Sequence, residues 1–170
     1  MVLLINNRRV SAKSGILEEI PANIRVVSYR TLRAIKADYD VPKPMARNVT
    51  VLYGTTGTGK SYRAHREAGE HAYYKDPRSK FWCGYQCQSN VVIDEFRGAI
   101  DISHILRWFD CYPVYVETKG SSVPLSANQF WVTSNLHPSR WYPDLDPNTL
   151  EALLRRLTIV EMNDTFVFPE

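Results

Sequence analysis

The sequence predicts an α/β fold: a mostly parallel central sheet flanked by helices and preceded by a small helical segment. Three observations carry that prediction. Apolar runs at residues 49–53, 91–96 and 130–135 read as buried strands, the last two carrying polar residues toward their ends. Stretches with helical spacing alternate with them, at 60–71, 101–109 and 146–157. The first apolar run passes straight into a glycine-rich loop and then into a helical stretch, a strand-loop-helix order.

Composition bounds the rest. A chain of 170 residues with 44% hydrophobic and 23% charged residues has the balance of one well-buried globular domain with a small appendage. No apolar run approaches the roughly 20 residues that cross a bilayer, so no membrane partner is expected. Residues 1–5 are apolar but too few for a secretory segment, and Arg8 and Arg9 follow them rather than precede them. A cytosolic or nuclear location is the expectation. The net charge of +3 permits nucleic-acid binding without demanding it. Cys83, Cys87 and Cys111 make an odd set, for which reduced thiols are expected, and no His or Cys pair completes a zinc spacing with Cys83 and Cys87. The histidines, at 65, 71, 104 and 137, contain no His-x-His pair.

Taken in order, residues 1–15 carry little pattern. From 16 to 40 the spacing turns helical: Ile16, Leu17 and Ile20 form an apolar patch, Pro21 restarts the chain, and Ser28 is a candidate N-cap. Leu32, Ile35 and Tyr39 then share one face, with Arg25, Arg30, Arg33 and Lys36 around it. That basic face reads as ordinary solvated charge somewhat sooner than as a docking or assembly surface. Two prolines at 42 and 44 end the segment as a linker.

The glycine-rich loop is Gly54, Thr55, Thr56, Gly57, Thr58, Gly59, Lys60 and Ser61, which fits G-x-x-x-x-G-K-[ST]. Glycines let backbone N–H groups close around a polyphosphate, Lys60 neutralises phosphate charge, and the Ser61 hydroxyl suits Mg²⁺. A helix from Lys60 to about His71 adds its positive N-terminal end, and residues 72–75 follow as a short strand. Residues 76–90 are aromatic and turn-rich, with Trp82 and Tyr85 expected in the core.

The run at 91–96 ends in Asp94 and Glu95, the residue types that hold a metal and handle an attacking water beside a phosphate loop. Viewed alone, it is also a strand ending in two solvated acids. Ile102, Ile105, Leu106 and Phe109 stand at i, i+3, i+4 and i+7 behind Asp101, so a core-packed helix is expected there. Residues 113–118 alternate, 119–122 turn, and 123–125 return, giving a hairpin with Lys119 at its tip. The run at 130–135 ends in Ser134 and Asn135, which could reach the same phosphates as Lys60 from a parallel sheet. Asp146 and Pro147 open the last helix, with Leu150, Leu153, Leu154 and Leu157 on its apolar stripe and Arg155 and Arg156 off it. Residues 158–162 form a closing strand, and 166–168 a tail that packs on the core.

Four of these elements together resemble a superfamily-3 helicase, the ATPase domain of replication-associated (Rep) proteins of small circular single-stranded DNA viruses, circovirus-like in kind. The matching stretches are 54–61 for Walker A, 91–96 for Walker B, 114–125 for the B-prime hairpin and 131–135 for motif C. Glu151-Ala-Leu-Leu-Arg-Arg-Leu157 resembles an arginine-bearing segment of circovirus Rep proteins.

The resemblance implies a P-loop NTPase fold of AAA+-like kind, with residues 1–44 as a helical oligomerisation segment and 45–170 as the ATPase domain. It implies ATP and Mg²⁺ at Lys60 and Ser61, with Asp94 and Glu95 serving metal and water and Asn135 sensing the γ-phosphate. Arg155 or Arg156 would reach a neighbouring subunit's site in a homo-oligomeric ring, a hexamer. Lys119 would contact single-stranded DNA, and the host nucleus would be the site of action. Rep proteins of this kind usually begin with an endonuclease domain using a His-hydrophobe-His metal site; without such a pair, nicking is not expected here. Two other classes remain as alternatives: a nucleotide-switched DNA-binding scaffold, which can dispense with the acid at Glu95, and a P-loop small-molecule kinase, which needs an arginine-bearing lid.

Overall fold

The computed structural model describes residues 20–167. Ile16, Leu17 and Phe168 lie outside them. The chain divides into two compact units between Val41 and Pro42.

The first unit contains α1 (Ala22–Tyr39), which starts directly after Pro21, whose carbonyl accepts from the N–H groups of Ile24 and Arg25. Ser28 leaves helical dihedrals (φ −112°, ψ 17°) and kinks the helix rather than starting it. The helix therefore begins well before Ser28, because proline at the start fixes φ without losing a needed N–H. Ile20 and Leu32 are buried together with Ile24 and Ile35 against them, while Tyr39 is half exposed.

The second unit is built on a five-stranded sheet. Its strands are β1 (Asn48–Tyr53), β2 (Tyr73–Lys75), β3 (Asn90–Ile93), β6 (Gln129–Ser134) and β7 (Leu157–Glu161), in the order β2-β3-β6-β1-β7. Every pairing in it is parallel. A separate antiparallel hairpin joins β4 (Tyr115–Thr118) to β5 (Ser121–Pro124). The helices are α2 (Lys60–Ala68), α3 (Ile102–Trp108) and α4 (Pro147–Leu154).

Period-2 alternation sorts the sheet's side chains onto two faces. Val49, Val51, Val91, Ile93, Phe130 and Val132 enter the larger core with Ile105 and Trp108 of α3 and Leu153 of α4. Leu52 and Val92 point the other way, onto Ala64 and Ala68 of α2. Alanines at those positions let α2 lie close to the strands. Trp82 and Tyr85 are core residues: Trp82 is fully buried, stacked on Tyr73 at 5.6 Å and edge-on to Tyr85 and Trp108.

Two other caps match their sequence signals. Asp101 accepts from Ser103 N at 2.8 Å, and Asp146 accepts from Asn148 N and Thr149 N at 3.1 and 3.0 Å. Helix α2 ends at Ala68, ahead of the expected His71, because Gly69 takes a backbone (φ 77°) that favours glycine and stops the helix. The hairpin is tighter than expected, since Thr118 pairs with Ser121 and only Lys119 and Gly120 turn. Buried Arg47 ties the loops beneath the sheet, donating to the carbonyls of Asp110, Tyr112, Leu125 and Ala127. Burial lowers its pKa below the usual guanidinium value.

Candidate functional site

Because β1, β3 and β6 run in parallel, the residues following each of them emerge at one edge of the sheet. The register sets Tyr53 beside Ser134 and Ile93 beside Val132. Residues 54–61, Asp94 with Glu95, and Asn135 are thereby gathered at adjacent strand ends.

The loop is held by hydrogen bonds to backbone carbonyls. Gly54 N donates to Ser134 O at 3.2 Å, and Thr58 Oγ1 donates to Thr55 O at 3.0 Å. Lys60, only 5% exposed, donates to the carbonyls of Gly54 and Thr55 at 3.0 and 2.6 Å. Thr55, Thr56 and Gly57 form the exposed tip. A side chain at Gly54 would place its Cβ 2.1 Å from Met162 O, so the close approach of the chain after β7 requires glycine there.

Ser61 joins the loop to β3. Its Oγ donates to Asp94 Oδ1 at 2.7 Å. Thr133 Oγ1 donates to the same carboxylate oxygen at 2.6 Å and accepts from Glu95 N at 2.9 Å, while Thr133 O accepts from Phe96 N at 2.8 Å. One fully buried threonine thus fixes both acids. It also ends β3 at Ile93 rather than at Phe96: Glu95 adopts a left-handed backbone (φ 56°), which costs roughly 1–2 kcal/mol for a non-glycine residue and is held by these bonds.

Glu95 is half exposed at the mouth. Its Oε2 lies 3.5 Å from Asn135 Nδ2 and 3.7 Å from Arg97 Nη2. Asn135 Oδ1 is buried with no hydrogen-bond partner among the described residues, an acceptor that a bound water or ligand could use. The donor set of one hydroxyl and one carboxylate suits a hard divalent cation that keeps several waters, as Mg²⁺ does. Among the described residues no group of three or more His, Cys, Asp or Glu forms a caged metal site.

Ser134 does not reach the phosphates. It is fully buried, its Oγ donating to Phe96 O at 2.7 Å and accepting from Leu136 N and Trp141 Nε1, both at 3.0 Å. Strand alternation that brings Thr133 to Asp94 turns Ser134 the other way. Thr133 was missed by sequence reading; the signal available was a polar residue in an otherwise apolar strand, one step before the polar end. The tail also differs from expectation, for Phe166 packs on the phosphate loop, its N–H donating to Gly57 O at 3.0 Å.

The remaining cations stand apart. Arg155 and Arg156 precede β7, where Leu157 pairs with Val49, so they sit at the N-terminal edge of the sheet, opposite the phosphate loop. The five residues of β7 span roughly 16 Å between those edges. Arg155 is exposed, whereas Arg156 donates to Ala152 O and pairs with Asp110 Oδ2 at 2.5 Å. That hydrogen bond holds the Asp110 carboxyl below its usual range. Lys119 is exposed at the hairpin tip.

A family model described as RNA helicase matches residues 50–136, just over half of the chain. The match runs from the phosphate loop through Asn135. The replication-associated protein of porcine circovirus 2 is 38% identical over 152 residues, covering 86% of this chain and 48% of the relative. That of porcine circovirus 1 is 40% identical over 114 residues, 66% of this chain and 36% of the relative. That of human associated cyclovirus 1 is 35% identical over 162 residues, 88% and 57% of the two chains. The chain spans about half the length of these relatives. With the loop, the acids and Asn135 all inside the matched stretch, the chain belongs to this RNA helicase family as the superfamily-3 helicase domain of a circovirus-like replication-associated (Rep) protein.

Proposed function

We propose that this chain is an ATP-dependent DNA helicase domain of a viral replication initiator, an AAA+-like P-loop NTPase that hydrolyses ATP in a hexameric ring and moves along single-stranded DNA during rolling-circle replication. The observation that carries the reading is the 2.7 Å contact from Ser61 to Asp94, with Glu95 adjacent at the same sheet edge. A phosphate loop, a metal-type carboxylate and a second carboxylate facing open space are the parts that hydrolysis of a nucleotide triphosphate needs.

In this reading the backbone N–H groups of residues 54–61 bind the phosphates, and Lys60 neutralises their charge. Ser61 and Asp94 would hold Mg²⁺, which would supply charge neutralisation at the phosphates. Glu95 takes the proton of the attacking water, and Asn135, with its unpartnered buried oxygen, orients that water against the γ-phosphate. Thr133 is a positioning residue for both acids.

An arginine completing the site comes from a neighbouring subunit, because the pair at 155–156 lies across the sheet from its own loop. Association is supported by α1, on which Val26 and Val27 are 81% and 85% exposed, and residues 1–44 serve as the oligomerisation segment. Lys119, repeated around the ring, grips the DNA backbone with little sequence preference.

Glu95→Gln tests the reading. It keeps ATP affinity and lowers turnover by about 10² to 10⁴-fold, measured as phosphate release with and without single-stranded DNA. Unchanged turnover removes the role assigned to Glu95 in hydrolysis.

A further inference from the structure

We propose that the segment after β7 completes a purine-base subsite over the phosphate loop, with Phe166 and Tyr62 as its stacking surfaces. This rests on the ATP-site reading and specifies which end of the nucleotide the tail meets.

The tail is bound to the end of β1 and to the loop. Met162 N donates to Tyr53 O at 2.8 Å, and Phe166 N donates to Gly57 O at 3.0 Å. The Phe166 ring then lies directly on Gly59, where an added Cβ would stand 2.5 Å from the ring. Its ring centroid is 4.6 Å from that of Tyr62.

A cavity of about 530 Å³ opens beside this contact, lined by Gly59, Tyr62, Arg66, Met162 and Phe166 among others. Sites for small ligands run from roughly 300 to 1,000 Å³, so a nucleoside fits. Residues 59, 62, 63 and 66 are spaced i, i+3, i+4 and i+7, which puts the α2 wall of the cavity on one helix face. Arg63 is held by Glu67 at 2.7 Å, and Glu67 also accepts from Trp131 Nε1 at 2.8 Å. Arg66 is exposed on the same face, and its planar guanidinium suits the face of an aromatic ring.

Gly59 belongs both to the phosphate loop and to this cavity. A ligand with its phosphates in the loop therefore extends its other end into the cavity beside the Phe166–Tyr62 pair and Arg66. Flat aromatic and guanidinium surfaces recognise a base by its π-face, and a two-ring purine covers more of them than a pyrimidine.

Calorimetric titration of ATP, GTP, CTP, UTP and inorganic tripolyphosphate into the whole chain tests this. The expected result is that ATP and GTP bind about tenfold more tightly than CTP and UTP. Phe166→Ala weakens ATP about tenfold and leaves tripolyphosphate affinity unchanged, and Phe166→Tyr restores ATP binding. The retained tripolyphosphate affinity also shows that the variant is folded. The subsite is overturned if Phe166→Ala leaves ATP affinity unchanged, tightens it as removal of a covering tail would, or weakens tripolyphosphate equally. Tripolyphosphate binding that Lys60→Ala abolishes keeps the phosphate-loop reading standing in those cases. A wild-type chain that binds neither ATP nor tripolyphosphate overturns both.

Discussion

The cluster at the ends of β1, β3 and β6 and the arginine pair before β7 are built in opposite ways. In the cluster each polar group is supplied by the same chain: Ser61, Asp94, Thr133 and the backbone of Glu95 are joined by bonds of 2.6 to 2.9 Å. Around the pair, one arginine is anchored to Asp110 and the other is exposed. The difference teaches where the protein keeps its geometry fixed and where it leaves a group available. Positions that must be accurate before a nucleotide arrives are locked by buried hydrogen bonds. Arg155, by contrast, is left on the surface beside the anchored Arg156.

The largest test of that contrast is the arginine pair. Arg155→Ala lowers ATPase turnover by about 10³-fold or more if Arg155 acts across the interface. Mixing it with Lys60→Ala chains restores part of the activity, because each defective chain supplies what the other lacks. Arg156→Ala run in parallel identifies the acting residue: Arg155 is already exposed, while Arg156 must first leave Asp110. No rescue at any ratio counts against a shared site.

Thr133→Val probes the locked side. It keeps the side-chain shape but removes the hydroxyl bonded to Asp94 and Glu95 N, so turnover falls by about tenfold and stability by roughly 1–3 kcal/mol. Full activity in this variant would mean that the acids are positioned without it.

Asp110→Asn separates anchoring from reach. The pair is only 16% and 25% exposed, and its loss costs on the order of 1 kcal/mol at neutral pH. Since the folded-state pKa of Asp110 is depressed, that stability is present above the unfolded value near 3.8 and disappears as pH falls through the folded pKa. Thermal melts of both proteins should therefore draw together as pH falls from 3.8 and converge only below the depressed folded pKa; a gap that does not narrow over that fall would mean the pair is not its source.

Lys119→Ala is the smallest change. The slope of log affinity for single-stranded DNA against log salt should fall by about 0.7 for each phosphate that this lysine neutralises. An unaltered slope would remove the hairpin tip from the DNA path.

Much of this was legible in the sequence, for reasons tied to spacing. The loop at 54–61 is contiguous, so its residue types announce it. Asp94 and Asn135 end apolar runs, and parallel strands carry such ends to one edge. What spacing does not reveal is which distant group a side chain meets. The bond from Thr133 to Asp94, the pairing of Arg156 with Asp110 and the return of Phe166 to Gly57 each join residues far apart in the chain. Ser134 shows the same limit from the other side: its type suited a phosphate contact, and the alternation of β6 turned it into the core.

The order of strands has a consequence for how the molecule is made. Val49 of β1 finds its sheet partners in Phe130 and Leu157, so both neighbours of β1 are synthesised long after it. Loop-closure entropy must be met before those pairings form, which slows folding of such non-local parallel sheets. During translation the strand that carries the phosphate loop waits with its apolar side chains and unpaired backbone edges exposed, surfaces of the kind that chaperones cover. The nucleotide site is then among the last parts to assemble, and its maturation reports that the chain has folded through residue 166.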